Sequence, residues 1–242
     1  MSQSKDDVKK TTAEPISDLP SQGSTWLRWD PHIHTPGTAL NNQYGGTTVE
    51  DFCSKIEQSS PKISCLGVTD YLSIKAYSKI VEQKAIGRLP DVDLIFPNVE
   101  FRLAVGTVQG SAVNAHLLFS PEDPNHIREI ERFLGRLKFR YLDEEYACTK
   151  DDLISLGRKH DSGLVDDTAA YRQGVNQFKL TQDRLLDELR NSDWARNNCL
   201  VAVAASSNDG TSGVRSEDGS LASLRVHIEA QSILLDQGRL LI

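Results

Sequence analysis

Six histidines occur in this 242-residue chain, and two of them stand one residue apart in the segment DPHIHT. In extended backbone the side chains alternate faces, so His32 and His34 emerge on the same side. Two imidazoles placed this way can clasp one metal ion; a pair of surface histidines is the plainer alternative. Further metal-type donors recur where apolar runs end: Asp70 in GVTDY, Glu100 in FPNVEF, His116 in NAHLLF and Asp209 in SSNDG. Asp70 has several readings, as a ligand, as a carboxylate orienting a ligand histidine, or as a cap for the helix that follows. Glu100 could bridge two cations or merely end a strand. His116, taken alone, reads as a satisfied core histidine, and the N-D-G around Asp209 suits a simple turn. The convergence of these residues, more than any single motif, points to metal chemistry. His126, His160 and His227 are expected to lie outside the ligand set, His160 being the one nearest to an exception.

The elements that must position these residues follow from hydropathy patterning. Strands are predicted around residues 26–35, 63–68, 92–101, 112–120 and 199–205. Helical spacing covers roughly 49–59, 74–87, 124–139, 182–197 and 221–237, the second stopped by Gly87 and Pro90. Residues 141–178 are polar and resist assignment. The order β-α-β-α-β-β-α, an irregular stretch, then α-β-α predicts an α/β fold with a mostly parallel sheet, open or closed. In either form the site belongs at the carboxyl ends of the strands, where the donors above fall.

Composition narrows the function classes. Lys and Arg number 27 against 34 Asp and Glu, a net charge of −7, so no basic surplus drives non-specific nucleic-acid binding. Hydrophobic residues at 38% support a core. No run of 18 apolar residues suggests a transmembrane helix. The first 20 residues lack an apolar signal region, and the four cysteines form no C-x-x-C pair, so a cytoplasmic protein with reduced thiols is expected. Residues 1–23 read as a disordered tail and 24–242 as the folded domain. There is no P-loop, G-x-G-x-x-G or G-x-S-x-G.

Taken in order, DPHIHT, GVTDY, NVE, NAHLLF and SSNDGT resemble the signature strands of the PHP (polymerase and histidinol phosphatase) superfamily of metal-dependent phosphoesterases. More narrowly, WLRWDPHIHTPGT, SPKISCLGVTDYLSI, LPDVDLIFPNVEFRL and AASSNDGTSGVR resemble the N-terminal PHP region of TrlF-type PHP–AAA ATPase proteins. The resemblance implies a distorted (β/α)7 TIM-like barrel and a metal-dependent hydrolase acting on phosphate esters, either a small phosphoester or a polynucleotide. It implies one or two divalent ions (Zn, Mn or Fe), with His32, His34, Glu100 and Asp209 around the first, and Glu100 and His116 around a second. Asp70 would support them. Arg102, Lys179 and Arg215 are candidates to hold substrate phosphate, each equally readable as a surface cation. Where the family places third-metal histidines, this chain has the Leu40–Asn41 region, Tyr71 and Thr211. A further family histidine has no clear counterpart; His160, Gln177 and Lys179 are the residues near its place. On this reading the chain is the front piece of a longer protein, ATPase-associated through a region or subunit it lacks; a complete small phosphoesterase is the other reading. A competing class is a catalytically weak module that binds nucleic-acid ends or docks such an ATPase.

Overall fold

A computed structural model describes residues 27–106, 112–203 and 240–241. The expected N-terminal tail and the helix expected over 221–237 lie outside the described residues.

The chain opens with strand β1 (Arg28–His34), helix α1 (Val49–Glu57), strand β2 (Ile63–Tyr71) and helix α2 (Lys75–Ala85). Strands β3 (Leu94–Gly106) and β4 (Ala112–Phe119) follow, then helix α3 (His126–Leu134). Helix α1 starts where Thr48 and Asp51 form a reciprocal capping box, which satisfies two N–H groups that the first turn leaves without partners. The stretch that resists assignment from sequence is a short antiparallel ribbon, β5 (Lys138–Tyr141) with β6 (Glu144–Ala147), and two helices, α4 (Lys150–His160) and α5 (Asp167–Gln177). Strand β7 (Lys179–Leu180) comes next. The single helix expected over 182–197 is two, α6 (Gln182–Arg190) and α7 (Asp193–Asn198), because Ser192 accepts from the Ala195 N–H and starts a new helix. Strands β8 (Cys199–Val203) and β9 (Leu240–Leu241) complete the described elements.

The fold is mixed α/β, with a sheet in the order β1-β2-β3-β4-β8-β9. The pairs β1–β2, β2–β3 and β8–β9 are parallel; β4 runs antiparallel to both neighbours. Five residues connect β3 to β4, fewer than the crossover that a parallel pair requires. Beyond the end of β2, β3 continues and pairs in parallel with β7. Among the described residues, no pairing between β1 and β9 is found.

Register sorts the side chains into two faces. Tyr71, Glu100, His116 and Ala202 lie in line across β2, β3, β4 and β8; so do Asp70, Val99, Leu117 and Val201, one residue away on the opposite face. The second face is a continuous apolar layer, with Leu66, Val68, Val99, Phe101, Leu117 and Val201 buried. It forms one core with helix residues such as Tyr77, Ile80, Ile130 and Phe133. The first face carries the polar residues Asn98, Glu100, Arg102, Asn114 and His116.

Helices α4 and α5 pack through glycine. A Cβ on Gly157 would overlap the Ala170 carbonyl, and one on Gly174 would overlap the Leu153 carbonyl. The two backbones therefore touch with no side chain between them. Gly174→Ala should destabilise the protein by about 1–3 kcal/mol through overpacking, measured as a lower urea midpoint with unchanged slope; an unchanged midpoint would show that the helices separate at no cost.

All four cysteines are buried and free. Burial pushes the Cys148 thiol up to about 12 and also raises Cys53 and Cys65. Because the folded state holds these protons longer than the unfolded chain, the stability they contribute is complete below about pH 9 and declines as pH rises above it. For Cys148 this amounts to about 1.4 kcal/mol per pH unit between the free-thiol pKa and its raised value. The urea midpoint should therefore fall measurably between about pH 8 and pH 10.5, and a thiol reagent should react with native protein only after opening.

Candidate metal centre

The site forms where β1, β2 and β3 bring their polar face together. His34 is the last residue of β1 and pairs with Thr69; Tyr71 ends β2 and pairs with Glu100. Strand β1 carries an extra residue between Asp30 and Ile33, a bulge that includes His32. His32 Nε2 and His34 Nε2 are 3.2 Å apart, and Glu100 Oε2 lies 3.4 Å from the first and 3.2 Å from the second. Ligands held at about 2.0–2.1 Å by a tetrahedral ion stand about 3.3–3.4 Å from one another. The three atoms thus have the spacing of one face of such a coordination shell, and the group could hold a metal ion.

The hydrogen bonding of Glu100 is consistent with that use. Its side chain is 3% exposed. Oε1 accepts from Asn114 Nδ2 at 2.8 Å, while Oε2, the atom facing both imidazoles, is buried without a hydrogen bond. An unpaired buried carboxylate oxygen is costly unless something cationic offsets it. Burial raises the Glu100 pKa, but His32, His34 and His116 outweigh it and draw the group down to about 2, so it is an anion at any physiological pH. His34 Nδ1 is likewise buried with no partner.

His116, across from Glu100 on β4, is buried, and its ring centroid is 4.7 Å from that of His32. Its Nδ1 meets Asn98 Oδ1 at 3.0 Å. Tyr71 stacks on His34 at 5.2 Å and 11°. Asn41 Nδ2 donates to the Tyr71 hydroxyl at 2.6 Å. Burial and the Glu100 charge push the Tyr71 phenol up, so it stays protonated.

The remaining expectations divide. Asp70 does not reach the imidazoles: register places it on the opposite face, where it accepts from Thr38 Oγ1 at 3.1 Å and from the Tyr71 N–H at 2.9 Å. Burial raises its pKa against those donors and against others from Ala76 and Ser73. Its carboxylate thus ties the loop after β1 to the start of α2, away from the imidazoles. Arg102 is on the site face two residues beyond Glu100, with its guanidinium held by Asn176 Oδ1 at 2.6 Å. Lys179 is its exposed neighbour on β7. Beyond Arg102 opens a cavity of about 540 Å³, lined by Leu40, Arg172, Gln173 and Asn176 among others. Asp209 and Arg215 lie outside the described residues.

Of the histidines set aside from sequence, His126 is a core residue bonded to the Tyr77 hydroxyl at 2.8 Å, and His160 is bonded to the Tyr141 hydroxyl at 3.0 Å. His227 lies outside the described residues. Of the asparagines that frame the site, Asn98 and Asn114 escape sequence reasoning, since a lone Asn carries no spacing signature. Arg172, which lines the cavity, escapes it too because it falls in the unassigned stretch.

No protein-family model matches this chain, and no curated protein does. Among solved structures, it is similar to the crystal structure of a candidate metal-dependent phosphoesterase from Bifidobacterium adolescentis. The TM-score is 0.37 and the identity 13%, over 84% of this chain and 74% of that one.

Zinc at about a hundredfold over its dissociation constant should stabilise the wild-type chain by about 2.7 kcal/mol, roughly 5–10 °C in melting temperature for this size. His34→Ala and Glu100→Gln should each lose most of that shift in a thermal melt with and without zinc. Equal shifts in all three proteins would place the ion elsewhere.

Proposed function

We propose that this chain is a PHP-type, metal-dependent phosphoesterase whose centre is built on His32, His34 and Glu100. The reading rests on one observation above all: three donor atoms from two strands, 3.2–3.4 Å apart, one of them a buried carboxylate oxygen with no hydrogen bond. It draws further support from the order of motifs along the sequence. Asp209 enters as a fourth ligand from its SSNDG motif alone, and His116 as a ligand to the same or a second ion.

A divalent cation bound there supplies Lewis acidity towards a phosphoryl oxygen and lowers the pKa of a coordinated water. The chain's own groups do the rest. Glu100 brings negative charge and balances the cation, with Oε1 fixed by Asn114. Tyr71, held by Asn41 and stacked on His34, keeps a neutral phenol at the rim, able to donate a hydrogen bond to a phosphate oxygen. Arg102 and Lys179 put two positive charges on adjacent strands, a match for the oxygens of a phosphate ester. Arg172, Gln173 and Asn176 line a space for the remainder of the substrate. We read the chain as part of a barrel of the PHP type, with the TrlF-type assignment, a nucleic-acid substrate and an ATPase partner as its narrower forms.

Purified chain, analysed for metal and assayed with phosphomonoesters and phosphodiesters in Mn²⁺ or Zn²⁺, tests the reading. His34→Ala and Asp209→Ala should each lower kcat by at least about a hundredfold, because losing a ligand removes the activated water. Arg102→Ala should act mainly on KM. Full activity in Asp209→Ala with unchanged metal content would remove Asp209 from the centre. Wild-type metal content of zero, with no hydrolysis, would favour a binding module.

A further inference from the structure

One buried amide connects two of the candidate ligands, and its hydrogen bonds specify which nitrogen of His116 serves. Asn98 precedes Glu100 by two residues on β3, shares its face and is 2% exposed. Its Nδ2 is 2.9 Å from the Pro31 carbonyl oxygen, and its Oδ1 is 3.0 Å from His116 Nδ1. A carbonyl only accepts, so the atom facing Pro31 must be the NH2 group. The atom facing His116 is then the amide oxygen, which also only accepts, so His116 Nδ1 must carry the proton. In the neutral ring the lone pair is left on Nε2.

We infer that Asn98 is a positioning residue that holds His116 as its Nδ1–H tautomer, with Nε2 as the metal donor, and that fixes the bulge carrying His32 from the same side chain. The second half follows from the anchor: Pro31 immediately precedes His32 within the bulge of β1. To reach it, Asn98 spans β2, which lies between β1 and β3. Gly67 permits this, since a Cβ there would overlap the Pro31 carbonyl oxygen. Ligands on β1 and β4 are thus set relative to each other through a residue on β3. The inference rests on the metal-site reading for the role of Nε2, but the tautomer is a property of the metal-free protein.

Side-chain ¹H–¹⁵N correlation spectra of the metal-free protein at about pH 8, where an unperturbed imidazole is neutral, read the tautomer directly. Wild-type His116 should show the Nδ1–H pattern. Asn98→Asp, which still presents an acceptor, should keep it; Asn98→Leu should let the ring populate Nε2–H. Zinc should bind Asn98→Leu roughly 10–100-fold more weakly than wild type, the usual effect of losing an outer partner of a ligand histidine. An Nε2–H tautomer in the wild-type protein overturns the inference and requires no variant to fold. Unchanged zinc affinity in Asn98→Leu overturns it as well. A wild-type chain that shows the Nδ1–H pattern but binds no metal supports the tautomer assignment and removes the phosphoesterase reading instead.

Discussion

A carboxylate buried with one oxygen facing two imidazole nitrogens is the constraint around which the rest of this molecule is arranged. Taking Glu100 out of water has a large desolvation cost, which only fixed donors or a cation can offset. One oxygen has its donor in Asn114. The other faces His32 and His34 at 3.4 and 3.2 Å and accepts no hydrogen bond. That arrangement is unfavourable for a purely structural residue and apt for a ligand, in line with the tendency of proteins to violate packing rules where they function. The central position of β3, flanked by β2 and β4, keeps the carboxylate dry. The helix-backed apolar face behind it supplies the burial that offsets the polar face's cost.

Much of this was legible in the sequence, for identifiable reasons. The strands over 63–68, 92–101 and 112–120 announce themselves because their apolar residues are contiguous, as buried strands require. The H-x-H pair is legible because extended backbone has a period of two. The stretch 141–178 was not legible, because α4 and α5 meet through Gly157 and Gly174. Backbone-to-backbone packing leaves no broad apolar stripe, and glycine argues against helix in any propensity scale. The framing asparagines were hidden for another reason. Their value lies in partners such as Pro31 and His116, 67 and 18 residues away, which only the folded sheet brings near.

Asp70 shows where reading strand ends alone goes wrong. It and Glu100 both end apolar runs in acidic residues, and both are buried. Register separates them: Asp70 pairs with Val99, and Glu100 with Tyr71. A carboxylate one residue out of phase with its neighbours faces the other side of the sheet, whatever its position along the strand. Asp70 therefore meets the hydroxyl of Thr38 and the N–H of Tyr71, and not the imidazoles.

The same parity makes the centre a direct readout of strand register. His116 faces the cluster because it pairs with Glu100; a one-residue slip of β4 would bring in Ala115 or Leu117, the apolar residues beside it. Those two residues are fully buried in the helix-backed core, so a slip would expose them and bury His116 among aliphatic side chains. Hydrophobic burial on one face thus enforces the alignment of polar atoms on the other. The bulge at Pro31–His32 breaks the alignment within the site, where the chain needs it broken. Without the extra residue, His32 and His34 would follow the regular pleat of a single strand. With it, the backbone bends over Gly67, and the two rings meet at different angles, 67° between their planes, around a shared point. Two donors from one strand can then occupy two corners of a single coordination shell, and the third corner comes from the carboxylate that β3 keeps dry.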